Sequence, residues 1–185
     1  MIHPIVVYGD PILKKVAVDI EKDSFDLVQL IADMYETMYA ANGVGIAAPQ
    51  IGKSIRLFVI DAEPFDKKRL KGFKKIFINP VIIHQDGDKW AYEEGCLSIP
   101  GIRYDVHRHS TITIKYFDEN WVERTETYDD LKARVIQHEY DHIEGVLFVD
   151  HLSSLKKQLI KGKLTNISRG KYEADYRVKA PIGKR

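Results

Sequence analysis

The stretch from Asp130 to Glu144 constrains this chain most, because it reads as a helix whose apolar stripe runs through two histidines. Leu131, Val135, His138 and His142 recur at three- and four-residue spacing and share one face. Asp129 or Asp130 is placed to cap the helix and Gly145 to stop it. Such a stripe faces a protein interior, so the fold must bring partners to both imidazoles. In His138-Glu139-Tyr140-Asp141-His142 the histidines are rotated by only about 40° and separated by about 6 Å along the axis, so both rings reach one ion. Glu139 lies between them and projects beside such an ion without ligating it, as a proton carrier should. Core histidines also occur without metal, and a third ligand is what separates the two readings.

The search for that ligand divides enzyme classes. In one group of metalloproteases the motif continues as His-x-x-Gly-x-x-His. Here Gly145 is in place, but Phe148 stands at the final position and cannot ligate. Glu144 is too close for a downstream glutamate ligand, and Glu173 lies in a basic tail. The remaining donor is Cys96, the only cysteine, in Glu94-Gly95-Cys96-Leu97-Ser98. An isolated cysteine is ordinarily a small buried hydrophobe. Beside a His-Glu-x-x-His that lacks its usual third ligand, thiolate plus two imidazoles makes a good site for a borderline divalent ion. Gly95 before it lets backbone approach closely.

The rest of the chain places these residues in an α+β fold. Its 185 residues, 44% hydrophobic, suit one globular domain. Ser24 is positioned to cap a helix from Phe25 to about Ala41, stopped by Asn42-Gly43. Strand-like runs follow at 55–60, 75–84, 89–93, 102–107, 110–117 and 122–128, with an exposed basic loop expected over 61–75. A last helix begins near Ser153 or Ser154, with Leu155, Leu159, Leu164 and Ile167 as its expected stripe. Strands cluster before helices rather than alternating with them, which gives antiparallel sheets. No apolar run approaches the ~18–20 residues of a membrane span. Met1-Ile2-His3-Pro4 does not open a secretory or transit signal. One cysteine excludes an internal disulfide, so the expected address is the cytoplasm.

Gly43-Val44-Gly45-Ile46-Ala47-Ala48-Pro49-Gln50 superficially matches a dinucleotide-binding turn. A helix precedes it, however, and Pro49 blocks the helix that should open there. The alternative is an open strand edge whose small residues admit a substrate backbone. Together, Gly43–Gln50, Glu94–Ser98 and Gln137–His142 resemble the three motifs of the peptide deformylases, in order and at suitable separations. The resemblance covers about residues 1–170, as a single catalytic domain. Departures from many bacterial forms are Pro49, the basic insert around 67–75, and residues 171–185, a basic extension whose order the sequence leaves open.

That resemblance implies antiparallel sheets packed around a central helix carrying His-Glu-x-x-His, with a C-terminal helix. It implies hydrolysis of the N-formyl group from the initiator methionine of new polypeptides, with release of formate. Cys96, His138 and His142 would hold one divalent ion, Fe2+ natively, with Zn2+, Ni2+ or Co2+ able to substitute. Glu139 would carry the proton, while the Gln50 amide and the Leu97 backbone N–H steady the oxyanion. The peptide would lie as an added strand between Val44-Gly45 and Gly95, its methionine in a pocket near Tyr92, Leu131, Val135 and His138. Arg103 would stand at the cleft entrance and Arg108 would hold Glu94. Arg134, charged beside that pocket, is expected either to bend outward or to narrow it.

Charge is unevenly spread. Residues 155–185 carry ten Lys/Arg against two acids, a net of +8, whereas residues 1–154 carry 18 basic and 25 acidic side chains, a net of −7. Such a tail suits a solvated helix or contact with a polyanion such as ribosomal RNA. Two rival functions remain at this stage. A zinc endopeptidase is opposed by Cys96 and Phe148, and a binding module with a structural metal lacks an obvious fourth ligand.

Overall fold

A computed structural model describes residues 1–179 and 181. Among these residues seven strands, β1 Ile5–Val6, β2 Gly45–Ala47, β3 Leu57–Asp61, β4 Lys74–Cys96, β5 Ile99–Phe117, β6 Glu123–Asp129 and β7 Val178–Lys179, join three α-helices, α1 Leu27–Ala40, α2 Asp130–Ile143 and α3 Ser154–Ser168. Strands β2 to β6 form one antiparallel sheet in sequence order, and β1 pairs with β7 in parallel. The expected α+β class is what the chain adopts, with the five-stranded sheet antiparallel as expected and the small β1–β7 pair parallel.

Strand β3 shows how the sequence sets the layers. Its side chains alternate between faces. Phe58 and Ile60 enter a core with Phe77, Ile112, Ile114 and the α2 residues Leu131, Val135 and Ile136. Leu57 and Val59 enter a second core with Leu30, Met34 and Met38 of α1. Each such side chain contributes roughly 1.5–3 kcal/mol on burial. A third core gathers Ile99, Ile102 and Val106 of β5 with Phe148 and the α3 residues Ile160, Leu164 and Ile167.

Several elements differ from expectation. The runs at 75–84 and 89–93 are one strand, as are those at 102–107 and 110–117. Register shifts between Asp86 and Lys89 and at Ile82/His84 let β4 bend without ending, so a polar interruption did not break it. Helix α1 starts two residues later than expected because Asp26, not Ser24, accepts from the Gln29 N–H at 2.9 Å. Asp129 holds the N-cap position of α2 as expected, but without a side-chain cap hydrogen bond, and Asp130, the first helical residue, pairs with Arg69. Gly145 ends α2 as expected, at φ +71°, and a Cβ there would lie 2.7 Å from the Lys14 carbonyl oxygen.

In α3, Ser153 caps as expected, but Ile160, Leu164 and Ile167 face inward while Leu155 and Leu159 are each 68% exposed. Ile160 lies one residue, about 100°, round from Leu159 and takes the inward place. The 61–75 loop carries exposed Lys67, Lys68, Arg69 and Lys71, yet Ala62, Leu70 and Phe73 anchor it in the main core. Beyond α3, residues 171–179 run back over the body, bending at Asp175 and Tyr176 before the short strand β7. Tyr172, Ala174, Tyr176 and Val178 are partly buried, and the residues between them are exposed.

Candidate active site

Three elements converge on one cavity of about 510 Å³. Helix α2 brings His138 and Glu139 to its wall, with His142 buried behind it, the tip of the β4–β5 hairpin brings Cys96, and β2 with the 3-10 turn Ala48–Ile51 brings Gly45 and Gln50. Only Leu97 and Ser98 separate β4 from β5, so Cys96 stands at a tight turn. Its sulfur lies 3.3 Å from His142 Nε2. The donor atoms of Cys96, His138 and His142 all lie within 4.8 Å of one another. Donors around a tetrahedral ion at 2.0–2.3 Å stand about 3.5 Å apart, so these three fit a borderline divalent metal.

Electrostatics agree with that donor set. Burial pushes the Cys96 thiol up, but His142 and His138 beside it outweigh burial and bring it down to about 5. A ligating imidazole usually donates its other ring N–H to a carboxylate. His138 does so, from Nδ1 to Glu94 Oε2 at 2.9 Å, which leaves Nε2 for the cluster. His142 Nδ1, buried, has no such partner among the described residues.

Glu94 is a hub of buried charge. Arg108 donates to both of its oxygens at 2.7 and 2.9 Å, and Arg134 donates to Oε1 at 2.9 Å. Burial opposes the Glu94 anion, yet His138 and Arg108 hold its carboxyl well below the usual range. Arg108 also donates to Asp141 at 2.7 Å. Of the two expected courses Arg134 does not bend outward; it stands in the cavity wall. It is buried, also donates to the Val106 and Trp90 carbonyls, and lies 4.5 Å from the Trp90 ring centre.

Glu139 has the opposite character. Burial raises its carboxyl to about 7 despite the pull of His138 and His142, and Oε2 has no partner among the described residues. Gly45 makes room for it: a Cβ there would lie 2.5 Å from Glu139 Oε1. The Ala47 N–H donates to Gln50 Oε1 at 2.8 Å, so the amide NH2 must face the other way. It donates to Ser98 Oγ at 3.2 Å and lies 3.6 Å from the Cys96 sulfur.

Most sequence-derived candidates reach the cavity wall: Val44, Gly45, Gln50, Tyr92, Gly95, Cys96, Leu97, Arg103, Val135, His138 and Glu139 all line it. Leu131 does not. It is 1% exposed and packs in the main core, because its place one turn before Val135 carries it away from the metal end. Phe148, at the position of a metzincin ligand, is buried with its ring centre 6.3 Å from that of His138 and supplies packing only. Glu144 pairs with Arg56 at 2.7 Å. Sequence reasoning missed Phe65, and missed Glu173, Ala174, Asp175 and Tyr176 of the C-terminal segment, all of which line the cavity. The alternation of Tyr172, Ala174, Tyr176 and Val178 with charged residues was the available signal for that segment.

Known proteins resemble this chain over most of its length. The sequence profile described as polypeptide deformylase matches residues 2–158. A peptide deformylase of Cytophaga hutchinsonii is 62% identical over 184 residues, covering 100% of both chains. One from Christiangramia forsetii is 57% identical, covering 100% of this chain and 99% of the relative. The crystal structure of a peptide deformylase from Legionella pneumophila is similar with a TM-score of 0.80 at 42% identity, covering 91% of this chain and 96% of that one. Given a profile match over most of the chain and relatives aligned from end to end, the protein belongs to the polypeptide deformylase family.

Proposed function

We propose that the residues gathered in this cavity carry out the family's reaction, hydrolysis of the N-formyl group of N-formylmethionyl peptides to formate and a free amino terminus. The observation that carries the assignment is the convergence of the Cys96, His138 and His142 donor atoms beside a buried, unpartnered Glu139 carboxylate. Those three side chains would hold one divalent ion, which when bound supplies Lewis acidity and brings water near neutrality in its acidity. Fe2+ is the native choice in this reading, and Zn2+, Ni2+ or Co2+ can substitute.

Glu139 accepts a proton as water oxygen bonds to the formyl carbon, then delivers it to the nitrogen as the C–N bond breaks. Burial, which favours the protonated form of this carboxyl, suits it to hold the proton between the two halves of that transfer. Developing negative charge on the formyl oxygen meets the Gln50 NH2 group, whose direction the Ala47 N–H fixes, and the Leu97 backbone N–H. The peptide adds as a strand between Val44-Gly45 and Gly95, with its methionine against Tyr92 and Val135. Arg103, 2.8 Å from Glu93, stands at the entrance.

Two wider readings rest on composition and surface. The exposed lysines Lys157, Lys161 and Lys163 of α3, alongside exposed Leu155 and Leu159, support contact with the ribosome from which nascent chains emerge. No described helix is long and apolar enough to cross a membrane, and the lone unpaired cysteine suits a cytoplasmic address.

The test is formate release from a formyl-Met peptide by anaerobically purified protein, before and after chelation. The reading expects activity that chelation abolishes, metal restores and Cys96→Ala removes. Full activity in the metal-free protein or in Cys96→Ala overturns it.

A further inference from the structure

The C-terminal segment reaches the catalytic turn through one hydrogen bond. Tyr176 Oη donates to the Leu97 carbonyl at 2.7 Å, across 79 residues of sequence. The peptide unit that accepts this bond also carries the Ser98 N–H, which donates to the Cys96 sulfur at 3.4 Å. A bond to the carbonyl polarises the amide and strengthens the N–H donor at its other end. Tyr176, the Leu97–Ser98 peptide and the thiol therefore form one chain.

We infer that Tyr176 is a positioning residue of the deformylation site, acting through the Leu97–Ser98 peptide on the Leu97 N–H and on the Cys96 sulfur. The inference rests on the roles given above to Leu97 and Cys96.

The turn needs such a restraint. It is only two residues long, and its two sides are held by different parts of the molecule. On the Ser98 side, Gln50 Nε2 reaches the hydroxyl at 3.2 Å and the Tyr8 N–H donates to the carbonyl at 2.8 Å. On the Leu97 side, the Leu97 side chain lies so close to Gly43 that a Cβ there would meet it at 2.9 Å. The Tyr176 hydroxyl holds the Leu97 carbonyl on this side as well.

Tyr176 is itself fixed. Its ring packs with Leu97 against the α1 core, the Ile5 N–H donates to the Arg177 carbonyl at 2.9 Å, and Val178 pairs with Ile5. Glu173, Ala174 and Asp175 continue along the cavity wall on the same segment. The segment is thus built into the site from two directions, and the hydroxyl is its one polar link to the metal-ligand turn among the described contacts.

The test uses the full chain loaded with Co2+, whose thiolate charge-transfer band reports the Cys96 sulfur without turnover. Tyr176→Phe keeps the ring and removes the bond. The expected result is a shifted band, release of Co2+ to a chelator faster by about 3–10-fold, and kcat lowered by a similar factor with KM within about twofold. That is below the roughly 10–100-fold typical of direct outer partners of metal ligands, since Tyr176 acts through an intervening peptide. Arg177→Ala loosens the same segment only through its 3.5 Å contact to the Ile2 carbonyl and should leave band, release and kcat unchanged.

A Tyr176→Phe band and release rate equal to those of the parent overturn the inference. So do equal changes in both variants, which would trace the effect to segment packing. Because band and release need no turnover, they judge Tyr176 separately from the reaction. A parent that binds Co2+ with a thiolate band yet releases no formate would refute the proposed function and not this role.

Discussion

Replacing Glu94 by Gln tests the claim that a buried charge hub fixes the metal-binding imidazole. Glu94 accepts from Arg108 twice, from Arg134 and from His138, at 2.7 to 2.9 Å, and it is buried together with both guanidiniums. In Gln the carbonyl oxygen can keep the two bonds made at Oε1, from Arg108 Nε and Arg134 Nη1. The new NH2 then faces two donors, Arg108 Nη2 and His138 Nδ1, where Oε2 had been. Two bonds are lost and two buried cations lose their shared anion, although Arg108 keeps Asp141. Removing one partner of a buried ion pair costs about 3–5 kcal/mol. For a chain of this size that lowers Tm by about 6–20 °C. Calorimetry at neutral pH reads the loss, and chelator competition should show metal affinity weakened about 10–100-fold through the freed His138 ring. Adding Arg134→Met removes one stranded cation and should recover part of the Tm. A Glu94→Gln protein within about 1 kcal/mol of the parent, binding metal equally well, would refute the hub.

Three further outcomes follow from single contacts. Gly45→Ala places a methyl 2.5 Å from Glu139 Oε1, so kcat should fall about 100-fold or more while circular dichroism stays unchanged. Gln50→Ala removes the oriented NH2 donor and should lower kcat by about 10²–10³, with a melting shift of only a few degrees. Asp33 is drawn down to about 2 by the N-terminal ammonium first and the Gln29 amide second. Its folded value lies below its unfolded one, so its contribution is complete above about pH 4 and fades as pH falls toward 2. Asp33→Asn should flatten the acid-unfolding curve in that window, and an unchanged curve would contradict the linkage.

What the sequence made legible was whatever rests on local periodicity or on scarcity. The histidine pair could be placed because both residues continue the stripe of Leu131 and Val135 on one helix. Cys96 could be chosen because it is the only thiol, whereas the Arg108–Glu94 contact, present as a bidentate pair, came only with the family resemblance. Arg134 was not legible: its partners Glu94, Trp90 and Val106 come from two strands distant in sequence. The long strands were not legible either, since bends through register shifts near Asp86 to Lys89 look like loops in a linear reading. In α3 the leucines suggested a stripe, but Ile160 and not Leu159 faces the third core. The basic charge of the tail obscured its period of two, and with it the path of Tyr176 back to Leu97.

The most direct measurement is X-ray absorption at the edge of the metal retained by the anaerobically purified protein. One sulfur near 2.3 Å and two imidazole nitrogens near 2.1 Å, with the sulfur shell lost in Cys96→Ser, is the predicted result. A first shell without sulfur, or a protein that releases formate while retaining no metal, would contradict it.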